Sequence, residues 1–206
     1  MYFLTFSGLD GSGKSTQLKR LKEYLESHGQ TVAVFHAVEF SLANRLARYF
    51  KGKKTFEPGK DRAITNASKL SICLRKCFLA IDIVRFTFFQ TSLEKKHCEW
   101  LLADRSFFDS VINILFLSKN GSTRIFLERF LPRSDIAFFF TIAPEEIMRR
   151  DRAPEQGIDY LHKKHAILTQ KSIDWNGVEI NAHQSPEKIF QDIQEEISHV
   201  CILPPS

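Results

Sequence analysis

An α/β fold around a five-stranded parallel sheet is predicted by three features of this sequence. A complete phosphate-binding loop lies between a strand pattern and a helix pattern, five short apolar runs alternate with helical segments, and one of those runs, Ile136 to Thr141, is apolar throughout. Continuous apolarity fits a strand covered on both faces, as in a doubly wound sheet. The loop is Gly8-Leu9-Asp10-Gly11-Ser12-Gly13-Lys14-Ser15-Thr16, in the order G-x-x-x-x-G-K-[ST]. Its glycines let successive backbone N–H groups curl around an anion, Lys14 can reach β and γ phosphates, and the Ser15 hydroxyl can sit on Mg²⁺. The chain is read as a binder of a nucleoside triphosphate, with residues 8–16 as the cradle.

Tyr2-Phe3-Leu4-Thr5-Phe6 is the strand before the loop, and Leu18, Leu21 and Leu25 give Thr16 to His28 helical spacing after it. Thr31 to His36 reads as the second strand and Leu42 to Phe50 as a short amphipathic helix, before a breaker at Glu57-Pro58-Gly59-Lys60. From Asp61 to about His97 apolar residues recur at three and four positions, which predicts one long helix or two joined at a kink. Trp100 to Asp104 is a buried strand that delivers a carboxylate at its end. Helices are predicted at Phe108 to Ser118 and Ser122 to Phe130, and after the fourth strand Pro144 opens another. Ile158 to Ser172 is helical, Val178 to Asn181 is the fifth strand, and Ser185-Pro186-Glu187 caps a last helix to about His199.

The chain of 206 residues, 43% of them hydrophobic, is read as one domain spanning 1–206. It begins without a basic region and long apolar segment, and no stretch approaches a membrane-spanning length, so a cytoplasmic protein without membrane contact is expected. The net charge of +5 comes from Lys and Arg scattered among Asp and Glu, which points to phosphate on a small substrate and away from nucleic acid. Cys73, Cys77, Cys98 and Cys201 form no Cys-x-x-Cys or Cys/His zinc pattern, and buried free thiols are expected. The 19 phenylalanines are read as core.

Two further groups narrow the chemistry. Asp104-Arg105 places a carboxylate beside the Mg²⁺ region and a guanidinium where it can hold a second phosphate. Arg149, Arg150 and Arg152, bounded by Pro154 and Gly157, form a lid at about 149–157 able to fold over a γ phosphate and neutralise charge on a transferring group.

These residues together resemble the thymidylate kinase family of nucleoside monophosphate kinases. Phe6 to Gln17 is similar to that family's opening almost position for position, Asp104-Arg105-Ser106 falls where the family has Asp-Arg-Tyr, and Arg149 to Glu155 resembles its arginine-bearing lid. The resemblance implies ATP and Mg²⁺ as cofactors, a nucleoside monophosphate, dTMP foremost, as acceptor, and a homodimer. It implies that Lys14 with Arg149 and Arg152 stabilises the transferring phosphoryl, and that Arg150 belongs to the ATP site. Asp10 approaches the acceptor sugar, Arg105 grips the acceptor phosphate, and Ser15 with Asp104 holds the metal. Ser12 stands where some relatives carry an arginine, which assigns the catalytic guanidinium to the lid.

The acceptor side departs from the family pattern. His36-Ala37-Val38-Glu39-Phe40-Ser41 replaces Arg-Glu-Pro-Gly-Gly-Thr, and an expected phosphate-side arginine is lost. Asp82-Ile83-Val84-Arg85 resembles the family's base-reading element and assigns Asp82 and Arg85 to the substrate, yet Ile81 occupies the stacking position; nearby Phe78 could substitute for the ring, though its place on the helix favours core. Asn113 stands in for a missing amide one position out of step. Two alternatives stay open: a deoxynucleoside kinase, with Glu39 as base on a 5′ hydroxyl, and a nucleotide-binding regulatory protein with little transfer activity.

Overall fold

The computed structural model describes residues 1–42, 68–118, 124–150 and 156–200. Its strands are β1 (Tyr2–Gly8), β2 (Val32–His36), β3 (Trp100–Asp104), β4 (Ile136–Thr141) and β5 (Val178–Asn181), and they form one sheet in the order β2-β3-β1-β4-β5. Every neighbouring pair is parallel. The described helices are α1 (Lys14–Ser27), α2 (Ala37–Phe40), α3 (Lys69–Lys95), α4 (Phe107–Leu117), α5 (Pro144–Met148), α6 (Ile158–Asp174) and α7 (Pro186–Val200).

Alternation along β1 explains why both faces need cover. Leu4 and Phe6 pack with Leu21 and Leu25 of α1 and Ile193 and Ile197 of α7. Phe3 points the other way and packs with Phe86 of α3 and Val111 of α4. Phe86 is fully buried, with its ring 5.3 Å from Phe3, 4.7 Å from Phe35 and 5.2 Å from Phe107. Each such aromatic pair adds about 0.5–1.5 kcal/mol beyond the area it buries, which fixes α3 against the sheet.

The register then sets the site. Phe6 of β1 lies opposite Asp104 of β3, and Asp104 lies opposite His36 of β2. The carboxyl ends of three strands therefore reach one level, where ligands bind in open α/β sheets.

The five strands form where the sequence predicts them, with β1 running on to Gly8. The predicted helix Leu42 to Phe50, the breaker at 57–60 and the start of the long segment lie outside the described residues, and from Lys69 to Lys95 one helix runs without interruption. The predicted helix Ser122 to Phe130 is corrected: a single 3₁₀ segment, Phe126–Phe130, is described there, with residues 119–123 outside. Glu128 closes that turn by accepting from the Ile125 N–H (2.7 Å) and is anchored by the buried Lys171 of α6 (2.7 Å). The cysteine expectation is corrected as well. Cys73 and Cys77 are exposed and Cys98 is half-buried, all three free, because the i, i+4 pair lies on the outer face of α3. Phenylalanine is mostly core, but Phe88, Phe126 and Phe130 are exposed. No described helix is long and apolar enough to cross a membrane.

Candidate phosphate-transfer site

Gly8 ends β1 with φ +152°, pressed so closely on β4 that a Cβ would stand 2.8 Å from the Phe140 carbonyl oxygen. Gly13 caps α1 in a left-handed conformation, φ +93°. Between them the Ser12 N–H closes a turn onto the Leu9 carbonyl (3.2 Å). The first turn of α1 carries no acidic residue, so its free N–H groups and the positive end of its dipole are left for an anion. Lys14 is buried, and its Nζ donates to the Leu9 carbonyl (2.6 Å) and to Ser12 Oγ (3.2 Å). Burial, and next the charge of Arg105, pull its ammonium down to about 8, against the opposing pull of Asp109, Asp10 and Asp104.

At the end of β3, Asp104 Oδ2 accepts from Ser15 Oγ (2.6 Å), and His36 Nδ1 stands 3.9 Å away. Asp104 Oδ1 is buried without a hydrogen-bond partner among the described residues. An orphaned carboxylate oxygen beside a serine hydroxyl fits a hard cation such as Mg²⁺, which binds through few protein oxygens and completes its shell with phosphate and water. No cluster of three or more His, Cys, Asp or Glu able to hold a metal occurs among the described residues.

Arg105 follows with φ +59°, a left-handed conformation that costs a non-glycine residue about 1–3 kcal/mol. Its N–H donates to the Phe6 carbonyl (3.2 Å), and its carbonyl accepts from the Ala37 N–H (3.2 Å). Pinned this way, the guanidinium turns back to the phosphate loop and donates to Asp10 Oδ1. Burial acts to raise the Asp10 pKa, but Arg105, Lys164 and Lys14 outweigh it and hold the carboxyl at about 2. The Arg105 guanidinium is partly desolvated, yet Asp10 and Asp109 push its pKa above the ordinary value.

Asp109 and Lys164 are participants that the sequence reading did not single out. Asp109 Oδ2 accepts from Ser7 Oγ (2.8 Å) and from the Ser106 N–H (3.1 Å), completing the capping box of α4 beneath the loop. Burial pushes its carboxyl up, although Arg105 and Lys14 oppose the shift. The Ser106-x-x-Asp109 spacing is a legible capping signal. Lys164, half-buried on α6, has no local signature; its charge on Asp10 arises from packing alone.

The segment 149–157, expected to form a lid, is described only at its ends. The Arg150 guanidinium donates to the Gly11 carbonyl and to the Ala182 carbonyl (3.4 Å), tying the phosphate loop to the segment after β5. Arg149 is exposed where α5 ends, and Arg152 lies outside the described residues. A cleft opens between α2, α3 and α4, and Arg105, Asp109, Asn113 and Asp82 line it. Arg85 does not. Its Nη1 donates to Asp82 Oδ1 (2.5 Å) and to the Phe40 carbonyl (3.0 Å), and its guanidinium stacks on the Phe40 ring at 4.4 Å. Asp82 also accepts from the Leu42 N–H (3.1 Å), so the expected base-reading pair instead fastens α3 to α2. Ile81 is exposed on the outer face of α3, and Phe78, read as core, is half-buried and lines the cleft together with Arg75.

A parallel sheet in this strand order, with a lysine-bearing glycine loop after β1 and a serine–aspartate pair across β3, defines a P-loop kinase fold. Comparison with known proteins agrees. A probable thymidylate kinase of Pyrococcus abyssi is 23% identical over 96% of both chains, and one of Thermococcus kodakarensis is 28% identical over 73% of this chain and 71% of its own. A thymidylate kinase of Bifidobacterium longum is 56% identical over 32 residues, 16% of each chain. The crystal structure of thymidylate kinase from Ehrlichia chaffeensis shares the fold, with a TM-score of 0.61 and 17% identity over 95% of this chain and 98% of that one. No family model matches. Over most of its length the chain is therefore similar to thymidylate kinases in sequence and in fold.

Proposed function

We propose that this chain transfers the γ-phosphoryl group of ATP directly to dTMP, giving dTDP and ADP. The observation that carries the reading is the Arg105–Asp10 pair: a carboxylate of the phosphate loop is locked to a guanidinium that lines the neighbouring cleft, so donor and acceptor ends share one charge pair. Lys14 and the N-terminus of α1 bind the β and γ phosphates, Arg105 holds the acceptor phosphate, and Asp10, paired with Arg105, approaches the acceptor sugar. Arg149 and Arg152 neutralise the transferring group, and Arg150 braces the loop under the adenine side. Ser15 and Asp104 would hold Mg²⁺, which would supply positive charge to offset that of the nucleotide's phosphates. No protein nucleophile is needed, since positioning and electrostatics supply the rate. We further assign it to the cytoplasm as a homodimer. A seam on α3 supports the dimer: Leu70, Leu74, Cys77, Ile81, Val84 and Phe88 are exposed and recur at alternating four- and three-residue steps, the spacing of a helix-pairing stripe.

The test is ADP release with dTMP, dUMP, dCMP or thymidine offered separately. Turnover is expected with dTMP, and Lys14→Ala is expected to keep a cooperative melt while losing at least about 10²-fold in kcat. Phosphorylation of thymidine alone would make the chain a nucleoside kinase, a reading weakened by the absence of Glu39 from the described cleft lining. ATP binding without turnover of any monophosphate would make it a regulatory protein.

A further inference from the structure

The acceptor end of the site is short of positive charge. A phosphate monoester carries about −1.5 to −2 charges at pH 7. Arg105, the cation placed to receive it, already donates to Asp10, and Asp109 adds a second negative field to the same guanidinium. Asp109 is buried, where it accepts from Ser7 Oγ and from the Ser106 N–H. One guanidinium between two carboxylates leaves little net attraction for a dianion, and a phosphate drawn out of water needs its charge matched.

Lys164 offers that match from α6. It is half-buried, one turn past Tyr160 and two turns past the Gly157 cap. Its ammonium stands over the Tyr160 ring, 5.0 Å from the centroid, and makes no hydrogen bond or ion pair among the described residues. Tyr160 is itself buried and meets the Phe116 ring of α4 edge-on at 5.2 Å, so the lysine stem is braced on the side of α6 that faces α4. From there its charge falls on Asp10 of the phosphate loop and on Asp109 of α4 together. A group that reaches both stands near the junction of the loop with α4, and Arg105 lies at the same junction. A lysine held there keeps three donors open on a compact charge.

We infer that Lys164 is a second cation for the acceptor phosphate, donating from α6 to a phosphoryl oxygen that Arg105 leaves free, with the Tyr160 ring as its positioning residue. The inference rests on the monophosphate-kinase reading above and deepens it: Lys164 makes the site select a phosphorylated nucleoside over the bare one.

The experiment is steady-state ADP release by the full chain at varied dTMP and varied ATP, with thymidine as a competitive inhibitor against dTMP. It compares wild type, Lys164→Met, Lys164→Gln, Lys164→Arg and Lys163→Met, with a thermal melt of each. Lys164→Met keeps the aliphatic stem and removes the charge; Lys164→Gln is a second neutral variant, read the same way if the first does not fold. Loss of a charge-assisted hydrogen bond is expected to raise the KM for dTMP about 10- to 100-fold. The KM for ATP and the inhibition constant of thymidine, which has no phosphate, are expected to stay in place. Lys164→Arg, which keeps the charge, is expected to recover part of the dTMP affinity. Lys163 is the exposed neighbour, and its loss controls for the general field of the helix. A folded neutral variant with wild-type dTMP KM overturns the inference and leaves the kinase reading intact. So does an equal rise in the dTMP KM and the thymidine inhibition constant, which would mean that Lys164 shapes the pocket without touching phosphate, or an equal effect from Lys163→Met. A wild-type chain that phosphorylates no nucleoside monophosphate overturns both.

Discussion

Replacing Gly8 with alanine separates the two reasons for a glycine at the end of β1. The added Cβ would stand 2.8 Å from the Phe140 carbonyl oxygen, 3.0 Å from Phe140 Cβ and 3.1 Å from Ser12 Oγ, and two of those atoms belong to a fully buried residue of β4. Overpacking of this kind costs about 1–3 kcal/mol. The backbone at φ +152° adds about 1–3 kcal/mol for any side chain. Together they amount to about 4 kcal/mol, or a fall of about 8–16 °C in Tm for a chain of this size. Gly13→Ala is the control, because its Cβ meets nothing within 4 Å and only the φ +93° strain remains. Thermal unfolding followed by circular dichroism should place Gly8→Ala clearly below Gly13→Ala, and calorimetry should show weaker ATP binding by Gly8→Ala as the loop shifts off β4. Equal melting temperatures for the two variants would refute the contact argument.

The Asp10 carboxyl is held at about 2, below its ordinary 3.8, so its contribution to stability is complete above that ordinary value and is lost as pH falls toward 2. With a third of the side chain exposed, the contribution is at most about 2 kcal/mol. Urea unfolding should show Asp10→Asn less stable than wild type at pH 6 and close to it at pH 2; a gap independent of pH contradicts the Arg105 pairing. Ile81→Glu places a charge in the exposed α3 stripe and is expected to convert the dimer to monomer in sedimentation velocity, with stability changed by no more than about 0.5 kcal/mol. A wild-type chain that sediments as a monomer removes the dimer assignment.

The phosphate loop was legible because all of its chemistry lies within nine consecutive residues, where glycine positions dictate backbone shape directly. The strands were legible for a related reason: a sheet covered on both faces demands unbroken apolar runs, and few other structures do. Ser122 to Phe130 misled because apolar spacing does not register the long-range pull of Lys171 on Glu128, 43 residues away, that pins a short turn. Phe78 lines the cleft and Arg85 does not, which spacing along the chain could not separate. A family pattern assigns residues by order along the chain, whereas access to the cleft depends on how far α3 slides along its axis against α2 and the sheet.

The sequence by itself determined the fold class, the shape of the glycine loop and the serine and aspartate that end beside it, since each follows from local backbone preference or from periodicity. Only the tertiary structure decided that Arg105 turns left-handed to meet Asp10 across 95 residues, that Asp109 and Lys164 bear on the same charges, and that Arg75 rather than Arg85 lines the cleft between α2, α3 and α4. Electrostatic partnership depends on distances of a few ångströms in space, and spacing along the chain carries no such information once elements pack from different parts of it.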